Sequence, residues 1–179
     1  MQQNQFTYQR NYTLSSRHND VYLYVDEIID VLKVKNVQQR KLYLSMLIHS
    51  KKHKQLGTSD FYMAYSTMEN YGNTGNRKRL RLQINELEKQ GRVKVVSHHR
   101  IDEVRSSIEG RLFDKPNVYR IKKDFKKNSG EKVFLKATDV ENVDINDILA
   151  KAIKENLISF ADCRKHLSRR NLNALRQAL

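Results

Sequence analysis

The sequence predicts an α+β fold, mainly helical, with a small two-stranded hairpin near its middle. Three observations predict it. Apolar residues recur at helical spacing over most of the chain. Two short segments, Arg92–Ser97 and Asn117–Ile121, alternate with period two, as half-buried strands do. A turn rich in Gly and Asn, Gly72-Asn73-Thr74-Gly75-Asn76, separates two helical segments just before the first of those strands.

Residues 1–19 are rich in Gln, Asn, Ser and Thr and are expected to form a flexible arm. From Asp20 onward, Val21, Val25, Ile28, Ile29 and Leu32 recur as on one side of a helix, with Asp20 placed to cap it. A second helix is expected from about Asn36. It carries Leu42, Leu44, Met46, Leu47 and His49 and ends in Ser50-Lys51-Lys52-His53-Lys54 before Gly57. Thr58 to Tyr65 fits either a short strand or a helical turn. Ser66 can cap a short helix reaching about Tyr71, and a longer helix is expected from Arg77 to Gln90, stopped by Gly91.

The stretch from His98 to Pro116 is polar, long for a hairpin loop, and followed by the returning strand. Lys122 to Gly130 reads as a basic linker. From Val143 to Leu179 the pattern is helical again, with Asp144, Ser159 and Ser168 as caps. The expected organisation is thus an arm over 1–19, a domain over 20–127 that includes the N-terminal helix, and a C-terminal helical segment over 138–179.

Charge gives the first functional direction. The chain has 179 residues and a formal net charge of +14. Residues 1–35 are neutral, residues 36–127 carry 21 basic and 9 acidic side chains, and residues 128–179 carry 9 and 7. The excess therefore sits in the central block, where it raises the local concentration of a polyanion. No apolar run reaches the roughly 20 residues of a membrane span, so no membrane partner is expected. The single cysteine, Cys163, gives no intrachain disulfide and no cysteine cluster for zinc, which suits a reducing, cytoplasmic setting.

Within the Arg77–Gln90 helix, Leu80, Ile84 and Leu87 fall within roughly 60° of one another at helical pitch. Lys78, Arg81, Asn85 and Lys89 cluster on the opposite side, with Arg77 and Arg79 flanking the start. A helix, a short helix, a turn, a longer basic-faced helix and a strand pair, in that order, make a winged helix-turn-helix, whose second helix enters the major groove of DNA. An arginine fork matches O6 and N7 of guanine, an asparagine amide matches N6 and N7 of adenine, and a lysine serves best on phosphate. Asn76 is expected to cap this helix and leave its first amides toward the phosphate backbone. Leu82 falls on the basic side, where it can meet a thymine methyl or a partner subunit, or simply lie exposed. In the hairpin loop, Arg100, Arg105, Arg111 and Lys115 stand against Asp102, Glu103, Glu109 and Asp114. An arginine there can enter a narrow minor groove.

Ser66-Thr67-Met68-Glu69-Asn70-Tyr71, the turn, and Asn76 to Leu80 resemble the helix-turn-helix of bacterial winged-helix proteins. Ile84 to Val93 is similar to their helix end, glycine and apolar strand start. Lys115-Pro116-Asn117-Val118-Tyr119-Arg120-Ile121 looks like the returning wing strand of the subset attached to plasmid and phage replication proteins. The resemblance covers roughly residues 39–123. Two features differ from the pattern: polar Asn73-Thr74-Gly75 stands where an apolar residue is usual, and the wing loop is long. The resemblance implies site-specific binding of double-stranded DNA, in transcription regulation or in replication or partition of a plasmid or phage-like element.

An apolar N-terminal helix outside a compact winged core needs a covering surface, so a homodimer is expected. The rival readings are a protein-interaction adaptor, whose winged fold binds protein and whose C-terminal helices dock a replisome or transcription component, and an RNA binder. The latter favours aromatic side chains exposed on a sheet, for which the sequence offers Tyr119. Enzyme chemistry finds no footing. His49 and His53 have metal-compatible spacing without a carboxylate or cysteine nearby and read as surface histidines. On a strand, His98 and His99 would face opposite sides and are not expected to share one metal. Cys163 reads as a packed or surface thiol. No glycine loop followed by lysine is present for ATP. Tyr12, Tyr22 and Tyr24 lack the histidine metal cluster of DNA-nicking enzymes. No cofactor or metal is expected.

Overall fold

The computed structural model describes residues 21–52, 60–73, 76–98, 100–101, 103–110, 114–122, 130–136 and 144–179. The expectations for the arm over 1–19, for His53, for Arg111 and for most of the 122–130 linker therefore lie outside the described residues. The fold is α+β and mainly helical, with three small antiparallel sheets among the described residues.

The chain opens with a strand, β1 (Val21–Tyr24), and turns at once into α1 (Val25–Lys33). This corrects the helix expected from Asp20. Val21 and Leu23 face inward and Tyr22 and Tyr24 outward, the alternation of a strand of aromatic and β-branched residues. What fixes it as a strand is distant. β1 pairs antiparallel with β7 (Lys132–Leu135), with Val21 opposite Leu135 and Tyr24 opposite Lys132. The start of α1 is then closed by the Tyr24 amide donating to Glu27 Oε2 at 2.8 Å.

α2 (Val37–Lys52) is the central element and packs against α1, β1, β2 (Asp60–Tyr62), α3 (Tyr65–Asn70) and α4 (Arg77–Lys89). Every residue from Leu42 to His49 is buried, so this helix is covered on all sides and its sequence shows no single apolar stripe. The apolar side of α1, with Val25, Ile28, Val31 and Leu32, is spent inside the same core. It leaves no apolar face for a second copy, which removes the ground on which a homodimer was expected.

α3 is not capped by Ser66. The helix starts at Tyr65 with Ala64 as an N-cap that makes no side-chain bond. It ends on Gly72, at φ +74°, with the Gly72 amide on Glu69 O and the Asn73 amide on Met68 O. Those two bonds close the αL C-cap that favours glycine. The polar Asn73 then finds its explanation. Its side-chain amide, buried, donates to Ser45 Oγ at 3.1 Å and Met68 O at 2.9 Å, pinning the turn to α2.

α4 leads into β3 (Val93–Ser97), which pairs with β6 (Val118–Ile121); β6 also pairs with β2, giving the sheet order β2-β6-β3. Between β3 and β6 the chain is not a bare loop. β4 (Arg100–Ile101) pairs with β5 (Asp114–Lys115), and the segment between them holds a short helix, α5 (Glu103–Glu109), with no buried residue. Across the main sheet, the Arg120 guanidinium forks onto the Asp60 carboxylate and holds that carboxyl below its usual range.

The C-terminal helices are α6 (Ile145–Lys154), α7 (Phe160–Arg164) and α8 (Arg169–Ala178). Asp144, Ser159 and Ser168 cap them as expected, each side chain accepting from an amide two or three residues on. Ile148, Leu149, Ala152, Cys163 and Leu175 join the common core. Burial raises the Cys163 thiol above its ordinary value, so this is a packed thiol. Arg40 holds the bundle to the α1–α2 turn: its buried guanidinium donates to Leu32 O, Val34 O and His166 O. No helix among the described residues is long and apolar enough to cross a membrane.

Candidate nucleic-acid interface

α4 divides as its sequence requires. Leu80, Ile84 and Leu87 are buried, and Gln83 joins them, donating to Gln38 Oε1 at 3.1 Å across to α2. Arg77, Lys78, Arg79, Arg81, Leu82, Asn85 and Lys89 are all exposed. Leu82 lies on the cationic side with 61% of its surface open.

Both ends of this helix are fixed. Asn76 Oδ1 accepts from the amides of Lys78 and Arg79 at 3.0 and 3.3 Å. At the other end Gly91, at φ +70°, closes the helix with its amide on Glu88 O, and the Arg92 amide reaches Leu87 O. The Glu88 carboxylate accepts from the Val95 amide at 3.0 Å, so helix and strand are tied in register. Asn76→Ala is expected to cost about 1 kcal/mol of stability, lowering Tm by roughly 2–4 °C for a chain of this size. Thermal unfolding checks it, and an unchanged Tm would show the cap to be dispensable.

Three cations in the first turn of α4 stand against the helix dipole, whose positive end favours acidic side chains there by about 0.3–1 kcal/mol each. No acidic residue occupies that turn. The arrangement is unfavourable in the free protein and becomes favourable when a polyanion lies across the end. Along the rest of the exposed side the carboxylate of Glu86 stands 3.9 Å from Lys89.

Two features frame this face, and neither was visible in the sequence. An open groove of about 860 Å³ runs beside α4, lined by Arg79, Leu82, Asn85 and Lys89 on one wall and by Lys33, Lys35 and Gln39 from the α1–α2 turn on the other. The turn thus adds two exposed lysines to the helix's own cations. At the start of α4, Arg77 borders a recess of about 430 Å³ with Tyr65 and Ser66 of α3 and with Pro116 and Asn117 at the entry to β6.

Of the hairpin residues, Arg100 and Arg105 are exposed, and Arg105 lies 3.9 Å from Glu109 on the same helix. They sit on the β4–α5–β5 extension, outside the α4 face. Two expectations are corrected here. His49 is a core histidine, 7% exposed, with Nε2 2.9 Å from Tyr62 O and Nδ1 3.3 Å from the Tyr71 hydroxyl. Tyr119 is fully buried, so it offers no ring to a base. Among the described residues, no group of three or more His, Cys, Asp or Glu is arranged to hold a metal ion. Compared with protein-family profiles, with curated proteins and with solved structures, the chain has no significant match.

Proposed function

We propose that the chain binds double-stranded DNA site-specifically, with α4 in the major groove and the β3–β6 hairpin as the wing of a winged helix-turn-helix. The observation that carries this reading is the division of α4, with Leu80, Ile84 and Leu87 inward and a capped cationic end opposed to the helix dipole. Support also comes from the order α2, β2, α3, α4, β3, β6 and from the sheet order β2-β6-β3. In this reading Arg81 and Asn85 meet base edges. Lys78, Lys89, Lys33 and Lys35 hold phosphates, and the protein works in the cytoplasm, in transcription control or in replication or partition of a plasmid or phage-like element.

The test is duplex selection from a random pool, followed by salt titration on the selected site. Binding is expected to fall steeply with salt, by a log–log slope of about −0.9 per phosphate neutralised. Arg81→Ala should lose about 1–3 kcal/mol on the selected site and far less on random duplex. Equal loss on both would make Arg81 a phosphate contact. A wild-type chain that binds no duplex at low salt would end the proposal. A second reading, a protein-interaction adaptor, is favoured by one observation: Ile101, Val104 and Ile108 are all exposed on the β4–α5 extension.

A further inference from the structure

The β1–β7 ribbon has two unlike faces. Val21, Leu23, Val133 and Leu135 enter the core, while Tyr22, Tyr24, Lys132 and Phe134 point outward. On the outer face the Tyr22 and Tyr24 rings meet edge-on at 5.4 Å, and the Tyr22 and Phe134 centroids lie 6.0 Å apart. Lys132 Nζ stands 4.4 Å from the Tyr22 ring centre, and Lys51 Nζ, from the end of α2, stands 4.6 Å from that of Tyr24. Phe134 keeps 49% of its surface open, and the exposed Lys136 follows one residue past the end of β7. Lys51 is paired with Glu27 at 2.8 Å, and Lys151, which donates to Phe134 O, lies 4.0 Å from Glu155. Lys132 and Lys136 are in no ion pair among the described residues.

We infer that this face binds a single-stranded nucleic acid, with an unpaired base stacked on Phe134 beside Tyr22 and the flanking phosphates on Lys132 and Lys136. The chemistry selects the partner. The outward side chains of the ribbon are aromatic rings and lysines with no aliphatic among them, so the face suits flat rings flanked by negative charge. Every unpaired base has such a ring and a phosphate on either side. A duplex keeps its bases stacked inside and has nothing to lay on Phe134.

The face is also separate from the α4 groove. Lys51 lies near the end of α2 and Gln39 near its start, 12 residues or about 18 Å apart along the helix. The two surfaces therefore lie near opposite ends of α2 and share no residue. The inference does not depend on the duplex reading, because it uses none of the same residues.

The test uses the full chain and labelled oligonucleotides of about 15 nucleotides: oligo(dT), oligo(U), and a backbone of the same length without bases. Wild type should bind both base-bearing strands and hold the abasic one much more weakly. Either sugar supports the proposal, and the tighter strand identifies the natural one. Phe134→Ala and Phe134→Leu should each weaken strand binding by roughly 5- to 150-fold, the value of one stacked base. Phe134→Tyr should restore it, and none of the three should alter binding to the selected duplex. Lys132→Gln should lower the salt slope by about 0.7. Arg81→Ala should leave strand binding intact. Photo-cross-linking of an iodouracil strand to the wild-type chain, which needs no variant, should label the peptide carrying 132–136. An abasic strand bound as tightly as oligo(dT), no effect at Phe134, or cross-links confined to α4 would each overturn the inference.

Discussion

Asp30→Ala is expected to lower the free energy of unfolding by about 1.5–3 kcal/mol, because it removes the acceptor of a buried phenol and the counter-charge of a half-buried guanidinium. Asp30 is 3% exposed on the inner side of α1. Its carboxylate accepts from the Tyr43 hydroxyl at 3.0 Å and faces both Arg92 Nη2 and Arg92 Nε at 3.3 Å. The Arg92 guanidinium in turn lies 5.9 Å from the Tyr43 ring centre. Removing the carboxylate leaves the buried Tyr43 phenol without its acceptor and the half-buried Arg92 guanidinium with Gln90 Oε1, at 2.8 Å, in place of the carboxylate; an uncompensated buried group costs far more than it would in water. The pair itself is worth much less than the cost of breaking it, since desolvation offsets most of the attraction. A double variant, Asp30→Leu with Arg92→Met, should therefore recover most of the loss. Urea unfolding of the two single variants and the double decides it. A double variant as unstable as the sum of the singles would show that the two side chains act independently. The link also bears on the interface, because Arg92 follows the glycine that ends α4 and ties that helix to α1.

What the sequence made legible was local. Leu80, Ile84 and Leu87 report their shared face through spacing alone, and Asn76, Asp144, Ser159 and Ser168 cap amides two or three residues away. Gly91 stops α4 by a backbone conformation that glycine adopts freely. The same holds for the alternation in β3 and β6. What stayed hidden depends on contacts across long separations. Val21-Tyr22-Leu23-Tyr24 fits both a strand and the lead-in to a helix, and only Lys132–Leu135, more than a hundred residues away, decides between them. His49 reads as a polar residue beside lysines until the backbone carbonyl of Tyr62 is brought to its ring. Lys33 and Lys35 read as ordinary turn lysines, because nothing in their own neighbourhood says that α4 lies opposite. The buried Asp30–Arg92 pair has no periodic signature either. An acid on an apolar helix face looks like a misplaced surface residue until its partner is seen. The cationic face of α4 was thus readable at the level of one helix, and the groove around it was not.

Raising the pH should unfold the protein through two tyrosines, with stability falling by about 1.4 kcal/mol per pH unit for each of them above roughly pH 10. Tyr43 and Tyr119 are both fully buried. Burial drives both phenols well above their ordinary value; the charge of Asp30 adds to the effect at Tyr43, while the Asn117 amide at 2.8 Å from the Tyr119 hydroxyl opposes it. The sign follows from proton counting. In the folded chain both phenols keep their protons as the pH passes about 10, whereas in the unfolded chain they release them, so the unfolded state is favoured by one proton per group. Below roughly pH 9 neither group contributes any pH dependence. Urea unfolding at roughly pH 8, 10 and 11 should therefore give a flat region followed by a steep fall of about 2.7 kcal/mol per unit from the pair. Lysine deprotonation adds a background common to all variants, which the comparison cancels. Tyr43→Phe should begin less stable at neutral pH, having lost its bond to Asp30, and then fall only half as steeply. Its stability curve should converge on that of the wild type as the solution becomes alkaline. Phenolate absorbance gives an independent check, since Tyr43 and Tyr119 should resist ionisation until the fold is lost. If the full tyrosine complement of nine ionises near pH 10 while Tyr43 and Tyr119 remain in a folded chain, burial does not hold these two protons and the linkage argument fails.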